Sequence, residues 1–118
     1  MENASLSLIV TIVRKGWGST VLAAAVKAGA RGSTVLTGRG AGINEQETIF
    51  GLSIEPEKEI VLTVVGADRA DAILDAVVEA AELNDVGRGI AFVVPVDKVV
   101  GVTRFINPKP DGGVTPAG

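Results

Sequence analysis

The stretch EIVLTVVGADRADAILDAVVEAAELNDVGRGIAF, Glu59–Phe92, decides the fold. Its first seven residues, Glu59–Val65, are rich in β-branched side chains and read as a strand. Gly66 ends that run, and Asp68 stands where a carboxylate favours the positive end of a helix. Over Ala67–Glu82 the apolar residues Ile73, Leu74, Val77, Val78 and Ala81 recur on one helical face, with Asp71, Asp75, Glu79 and Glu82 on the other. That is the 3.6-residue period of an amphipathic helix. Leu83–Gly89 is then a loop, and Ile90–Val94 a further strand.

Upstream, the same grammar repeats. Leu6–Val13 (LSLIVTIV) is a strand, apolar at nearly every position, which suits burial on both faces. Gly16-Trp17-Gly18 breaks it. Ser19 or Thr20 can cap a helix running through Ala28, with Val21, Leu22, Ala25 and Val26 on one face. Gly29 supplies the left-handed stop. Ser33–Thr37 is a strand, Gly38–Gly42 a glycine-rich exit, and Ile43–Glu57 a polar, acidic connection. Val99–Arg104 reads as a short extended segment. The Pro- and Gly-rich tail, 107–118, has the composition of a flexible terminus.

Two β-α-β units joined by a long connection give an α+β, ferredoxin-like βαββαβ sandwich. Its four-stranded antiparallel sheet carries two helices on one face. The other face is left bare and aliphatic, which argues for assembly with further copies. The domain occupies 1–106.

Composition bounds the chemistry. The chain has 118 residues, 47% of them hydrophobic and 3% aromatic, so one aliphatic core is expected. The net charge of −3 does not make the basic footprint of a nucleic-acid binder. No apolar run approaches the ~18 residues that span a bilayer, so no membrane insertion is expected. No secretory leader is legible, and the expected compartment is the cytoplasm. Cys, His and Tyr are all absent, removing the thiol nucleophile, the commonest general base and the usual transition-metal ligands. No catalytic residues and no catalytic cofactor are expected, and the chain reads as a binding or regulatory domain. Oxygen ligands at Glu45 and Glu47 alone do not define a metal site.

The tripeptide Gly-Arg-Gly occurs twice, at Gly38-Arg39-Gly40 and at Gly87-Arg88-Gly89. Glycine lets backbone N–H groups approach a ligand, and arginine offers a charged fork for phosphate or carboxylate. The pair suggests an anion-binding cleft. Neither copy is a dinucleotide fingerprint or a P-loop: an acidic connection rather than a helix follows the first, and no Gly-Lys-Ser/Thr is present. Between Arg39 and Glu59 five carboxylates, Glu45, Glu47, Glu55, Glu57 and Glu59, face only Arg39 and Lys58. Ile49, Phe50 and Leu52 lie in the same connection with no evident core to enter. A solvated loop, or one that docks on a partner's basic surface, fits this pattern. Trp17, between two glycines, suits a core edge or a subunit interface.

The order β-α-β, long connection, β-α-β resembles the PII signal-transduction proteins. Glu59–Phe92 is similar to that family's third strand, second helix and B-loop. GSTVLTGRGAG at Gly32–Gly42 is similar to its second strand and the base of its T-loop. The likeness runs from about Leu6 to Arg104 and places the T-loop at about 41–57 and the B-loop at about 83–89. It implies a homotrimer with an adenine nucleotide (ADP, AMP or ATP) in clefts between subunits. It also implies a T-loop that docks on a membrane transporter or metabolic enzyme. By the resemblance Thr34 and Val64 meet adenine, and Gly40 and Gly42 wrap the nucleotide. Gly87 and Gly89 cradle phosphate, and Arg39 stands where the family has lysine. Arg88 is the candidate substitute for a B-loop lysine that is Ile90 here. Two family arginines fall at Gly101 and Thr103, with Arg104 beside them as a second substitute. These losses point to a mono- or diphosphate nucleotide rather than tightly held ATP. The shortened T-loop has Glu45, Glu47, Ile49, Phe50 and Leu52 as its docking residues and lacks the tyrosine that some members modify. A trimeric CutA-like module without nucleotide, and a sensor of bicarbonate or a carboxylate, are the alternatives.

Overall fold

The computed structural model describes residues 5–41, 47–49 and 52–101. Strand β1 (Leu6–Arg14) is followed by helix α1 (Gly18–Lys27), then β2 (Thr34–Arg39), β3 (Glu47–Ile49), β4 (Leu52–Ile54) and β5 (Glu57–Gly66). A single 3-10 turn (Ala67–Arg69) leads into α2 (Ala70–Ala81), and β6 (Gly89–Val96) closes the fold. The main sheet has the order β2-β5-β1-β6, each neighbouring pair antiparallel. This is the expected ferredoxin-like arrangement. Within the acidic connection β3 and β4 pair as a separate ribbon, with Ile49 opposite Leu52 and Glu47 opposite Ile54.

Alternation along the two central strands assigns the faces. On β1, Ser7, Ile9, Thr11 and Val13 are buried, whereas Leu8, Val10 and Ile12 are only half-buried. On β5, Val61, Thr63 and Val65 are buried and Ile60, Leu62 and Val64 half-buried. The buried set meets both helices, where Val21 and Ala25 of α1 and Ala70, Ile73, Val77 and Ala81 of α2 complete the core. Each fully buried Val or Ile contributes about 1.5–3 kcal/mol. Within one chain β1 is thus fully buried on one face only, because among the described residues no layer covers the second face. Direct pairing puts Leu36, Ile60, Leu62, Val64, Leu8, Val10, Ile12, Ile90, Phe92 and Val94 together on it. Leu36, Ile90, Phe92 and Val94 are all exposed.

Several boundaries differ from the sequence reading. Gly38 and Arg39 belong to β2 rather than to a loop, since they pair with Lys58 and Glu57. Helix α1 starts at Gly18, with neither Ser19 nor Thr20 as its cap; Trp17 is the cap residue and makes no side-chain cap bond. The acceptor comes from β5. Oε1 of Glu59 accepts from the N–H of Gly18 at 2.7 Å and of Gly16 at 3.2 Å. A carboxylate there satisfies donors the helix cannot, and meets the positive end of its dipole. A Cβ on Gly18 would fall against that carboxylate, which is why glycine opens the helix. Val26, expected on the apolar face, is 49% exposed. Glu82 ends α2 in the left-handed region at φ 57°, with the N–H of Leu83 bonded to the carbonyl of Val78 at 3.0 Å. Val99 and Val100 do not join a strand. Thr103, Arg104 and the tail 107–118 lie outside the described residues.

Replacing Glu59 by alanine is expected to lower stability by about 1–3 kcal/mol, chiefly the cost of leaving the partly buried Gly18 donor without its charged acceptor, the Gly16 donor being exposed. Glu59→Gln, which keeps an acceptor, is expected to lose less. Urea denaturation checks this, and an unchanged midpoint for Glu59→Ala would remove the carboxylate from the account of α1.

Candidate functional site at one rim of the sheet

Four strand ends meet at one end of the main sheet. There β1 and β2 finish, at Arg14 and Arg39, while β5 and β6 begin, at Glu57 and Gly89. The register aligns them: Arg39 opposite Glu57, Gly38 and Arg14 on either side of Lys58, and Gly89 opposite Val13. Both Gly-Arg-Gly copies therefore stand on the same rim, with Arg14, Lys15 and Lys58 between them. Sequence reading assigned none of those three cations to the site. Their signal is weak, because a cation at a strand end is ordinary and only the register brings them together.

The β2 side is a base for the hairpin that follows. The N–H of Gly40 donates to the carbonyl of Pro56 at 3.2 Å, holding the two stems together. Lys15 Nζ lies 2.9 Å from Glu57 Oε1. The hydrogen bond from Lys15, reinforced by its charge, lowers the Glu57 carboxyl below its ordinary range, and the same bond raises Lys15. Gly40 has ordinary backbone geometry, and no described atom lies within 4 Å of where its Cβ would stand. Among the described residues neither packing nor backbone calls for glycine there.

The β6 side is different. After α2 the chain turns through Asp85 N–H to Glu82 carbonyl at 3.0 Å and Arg88 N–H to Asp85 carbonyl at 3.3 Å. Gly87 has φ +82° and Gly89 φ +143°, both values that L side chains rarely adopt. A Cβ on Gly89 would collide with the carbonyl oxygen of Ile12. Arg88 turns back onto the fold. Its guanidinium lies 4.0 Å from the ring centroid of Trp17, and its Nη2 is 3.4 Å from Glu82 Oε1. Trp17 itself packs against the edge of the core.

Of the residues the sequence singled out, Arg39, Gly40, Gly87, Arg88 and Gly89 share the rim. Thr34 stands at the other end of β2, five residues and about 17 Å from Arg39. It sits on the bare face one diagonal step from Val64, because Thr34 pairs with Leu62. The two arginine loops belong to opposite edge strands, three strand spacings or about 14 Å apart. Glu47, Ile49 and Leu52 lie in the β3–β4 ribbon, whereas Gly42, Glu45 and Phe50 fall outside the described residues. Among the described residues no cluster of acidic side chains is arranged to hold a metal, and no helix is long and apolar enough to cross a membrane.

Comparison with known proteins agrees with this geometry. The family model described as Nitrogen regulatory protein P-II matches residues 6–104. Among solved structures, the crystal structure of Arabidopsis thaliana PII bound to citrate superposes with a TM-score of 0.64. It is 27% identical, and the match covers 85% of this chain and 82% of that one. No curated protein matches.

Proposed function

This chain belongs to the nitrogen regulatory protein P-II family of signalling proteins, and from that premise we propose that it is a homotrimeric sensor of an adenine nucleotide. The bare aliphatic sheet face supports the assembly, since among the described residues four of its ten large apolar side chains are exposed and the other six only half-buried, a larger apolar patch than a monomer ordinarily leaves in water. The base lies by Thr34 and Val64, and the phosphates lie at the rim, against Arg39, Gly40, Gly42, Gly87 and Gly89. Arg88 shapes the loop that carries the last two. Because the β2 and β6 edges are separated within one chain, each site takes one edge from each of two subunits.

The observation that carries the reading is Gly40. It is a glycine that the packing of the described residues does not require, placed beside Arg39 at the stem of the hairpin. A close-lying ligand or neighbouring subunit accounts for it, because only glycine lets another group reach the backbone. Occupancy favours one arrangement of the 41–57 loop. The acidic and apolar residues Glu45, Glu47, Ile49, Phe50 and Leu52 then engage or release a transporter or metabolic enzyme in the cytoplasm. A nucleotide has this effect only through its differential affinity for the two loop states. The chain acts as a regulator, with no group assigned to catalysis.

Titration calorimetry with ADP, AMP and ATP tests the proposal. Binding is expected, with the mono- or diphosphate at least equal to ATP. Arg39→Ala is expected to weaken it by about 1–3 kcal/mol, the scale of a lost charged hydrogen bond. No heat with any of the three at millimolar ligand contradicts it. A second reading, a sensor of a carboxylate anion, draws on the citrate found on the Arabidopsis relative. Heat with citrate or bicarbonate and none with nucleotide selects that reading instead.

A further inference from the structure

The turn at residues 15–18 touches both halves of the rim. On one side it meets the hairpin stem through β5. The Lys15 N–H donates to the Glu57 carbonyl at 3.3 Å, and Lys15 Nζ lies 2.9 Å from Glu57 Oε1. Glu59 Oε1 accepts from the N–H of Gly16 and, more closely, from that of Gly18. On the other side the turn presents Trp17 to the loop at 87–89. The Arg88 guanidinium stands 4.0 Å from the Trp17 ring centroid, and its Nη2 lies 3.4 Å from Glu82, with the Arg88 side chain only 26% exposed. Just before the turn, Arg14 Nη2 lies 3.2 Å from the point a Cβ on Gly87 would occupy. In the sheet β1 separates β5 from β6, so stem and loop meet through the turn that β1 leads into. That turn has little freedom of its own. The Trp17 N–H is bonded to the Arg14 carbonyl at 3.0 Å, and a Cβ on Gly18 would strike the Glu59 carboxylate. Glu59 thus sets where Trp17 stands, and Trp17 sets where Arg88 can stack.

We infer that the turn at 15–18 is a link that holds the 87–89 loop in place against the hairpin stem, with Glu59, Trp17 and Arg88 as its positioning residues. A displacement of β5 at the stem is passed through Glu59 and Trp17 to Arg88, and a displacement of the loop is passed back the same way. The consequence for the ligand rests on the nucleotide reading above. There the link fixes the backbone of Gly87 and Gly89 for phosphate, and Arg88 acts through Trp17 instead of touching the ligand.

Amide hydrogen exchange in the full chain tests the link without any ligand. The Arg88 N–H is bonded to the Asp85 carbonyl inside the loop. Glu59→Ala is expected to speed its exchange by about twofold or more, and Glu59→Gln, which keeps an acceptor, by less. Arg88→Met, which keeps the aliphatic stem, is expected to speed the Gly18 N–H to a similar degree. The Ala30 N–H, bonded to the Ala25 carbonyl beyond the far end of α1, is expected to stay as it is. ADP affinity is the second readout. Trp17→Leu and Arg88→Met are each expected to weaken it by about twofold to tenfold, the range of a cation–π contact. The double variant is expected to lose no more than the worse single one, and Trp17→Phe, which keeps a ring face, less than Trp17→Leu. Unchanged exchange at Arg88 or at Gly18 overturns the inference, whether or not ADP binds. So does equal acceleration at Ala30, which marks general loosening, and so do ADP losses that multiply in the double variant. Coupled exchange in a chain that binds no ADP upholds the link and overturns the nucleotide reading alone.

Discussion

Gly89→Ala is expected to lose about 2–6 kcal/mol of stability, combining backbone strain with overpacking. Two features act together at this residue. The φ of +143° is one that L side chains rarely adopt, and the added methyl would strike the Ile12 carbonyl and lie 3.0 Å from Val13 Cγ1 and 3.3 Å from Leu83 Cδ2. Two of those three contacts are on β1, the central strand, so the methyl cannot be accommodated without shifting β6 off its neighbour. A domain of this size holds about 5–15 kcal/mol in total, so the variant approaches or crosses the limit of folding. Gly40→Ala is the control. With no positive φ and no described atom within 4 Å of the added methyl, its stability is expected to change by no more than about 0.5 kcal/mol, while nucleotide affinity falls. Urea denaturation followed by circular dichroism separates the two. Similar midpoints for Gly89→Ala and the unaltered chain would mean that the loop can relax in a way the packing does not suggest.

Leu62→Asp is expected to convert the assembly into single chains that remain folded. Leu62 lies in the middle of the bare face, on β5, directly opposite both Val10 and Thr34. Within one chain it is half-buried, so an aspartate there can still reach water. At an interface formed by that face the carboxylate would lose its water without gaining a partner. That costs several kcal/mol in each subunit. A closed trimer incurs the cost three times over. Light scattering after size exclusion checks the mass, and circular dichroism checks the fold. An assembly that survives the substitution would place the interface elsewhere and leave the aliphatic face unexplained.

What the sequence made legible follows from how local each signal is. The α2 period, Ile73 to Ala81, needs no partner to be read, and the structure places that helix almost where the pattern did. The strands around it are equally local in their β-branched content. The Glu59 cap on α1 was hidden because donor and acceptor are 41 residues apart and meet only through the β1–β5 register. The left-handed Glu82 was hidden because the residue there is not glycine, and the Leu83 contact with the core is what sustains it. The rim behaves in the same way. Gly-Arg-Gly announced itself twice as a motif, yet the motif could not tell Arg39, at a hairpin base, from Arg88, folded back on Trp17. Arg14 had no motif at all. It becomes visible only when β1 is set against β6 and the space above Gly87 proves to hold a guanidinium.

The central claim is that three copies of this chain together bind an adenine nucleotide at the sheet rim. Sedimentation velocity with ADP, followed at the adenine absorbance, tests it most directly. The chain has one tryptophan and no tyrosine, so the nucleotide dominates the signal. The account predicts that ADP absorbance moves with a boundary of three chains and approaches one nucleotide per chain at saturation. A boundary of single chains, or a three-chain boundary that leaves ADP behind at millimolar concentration, would contradict it.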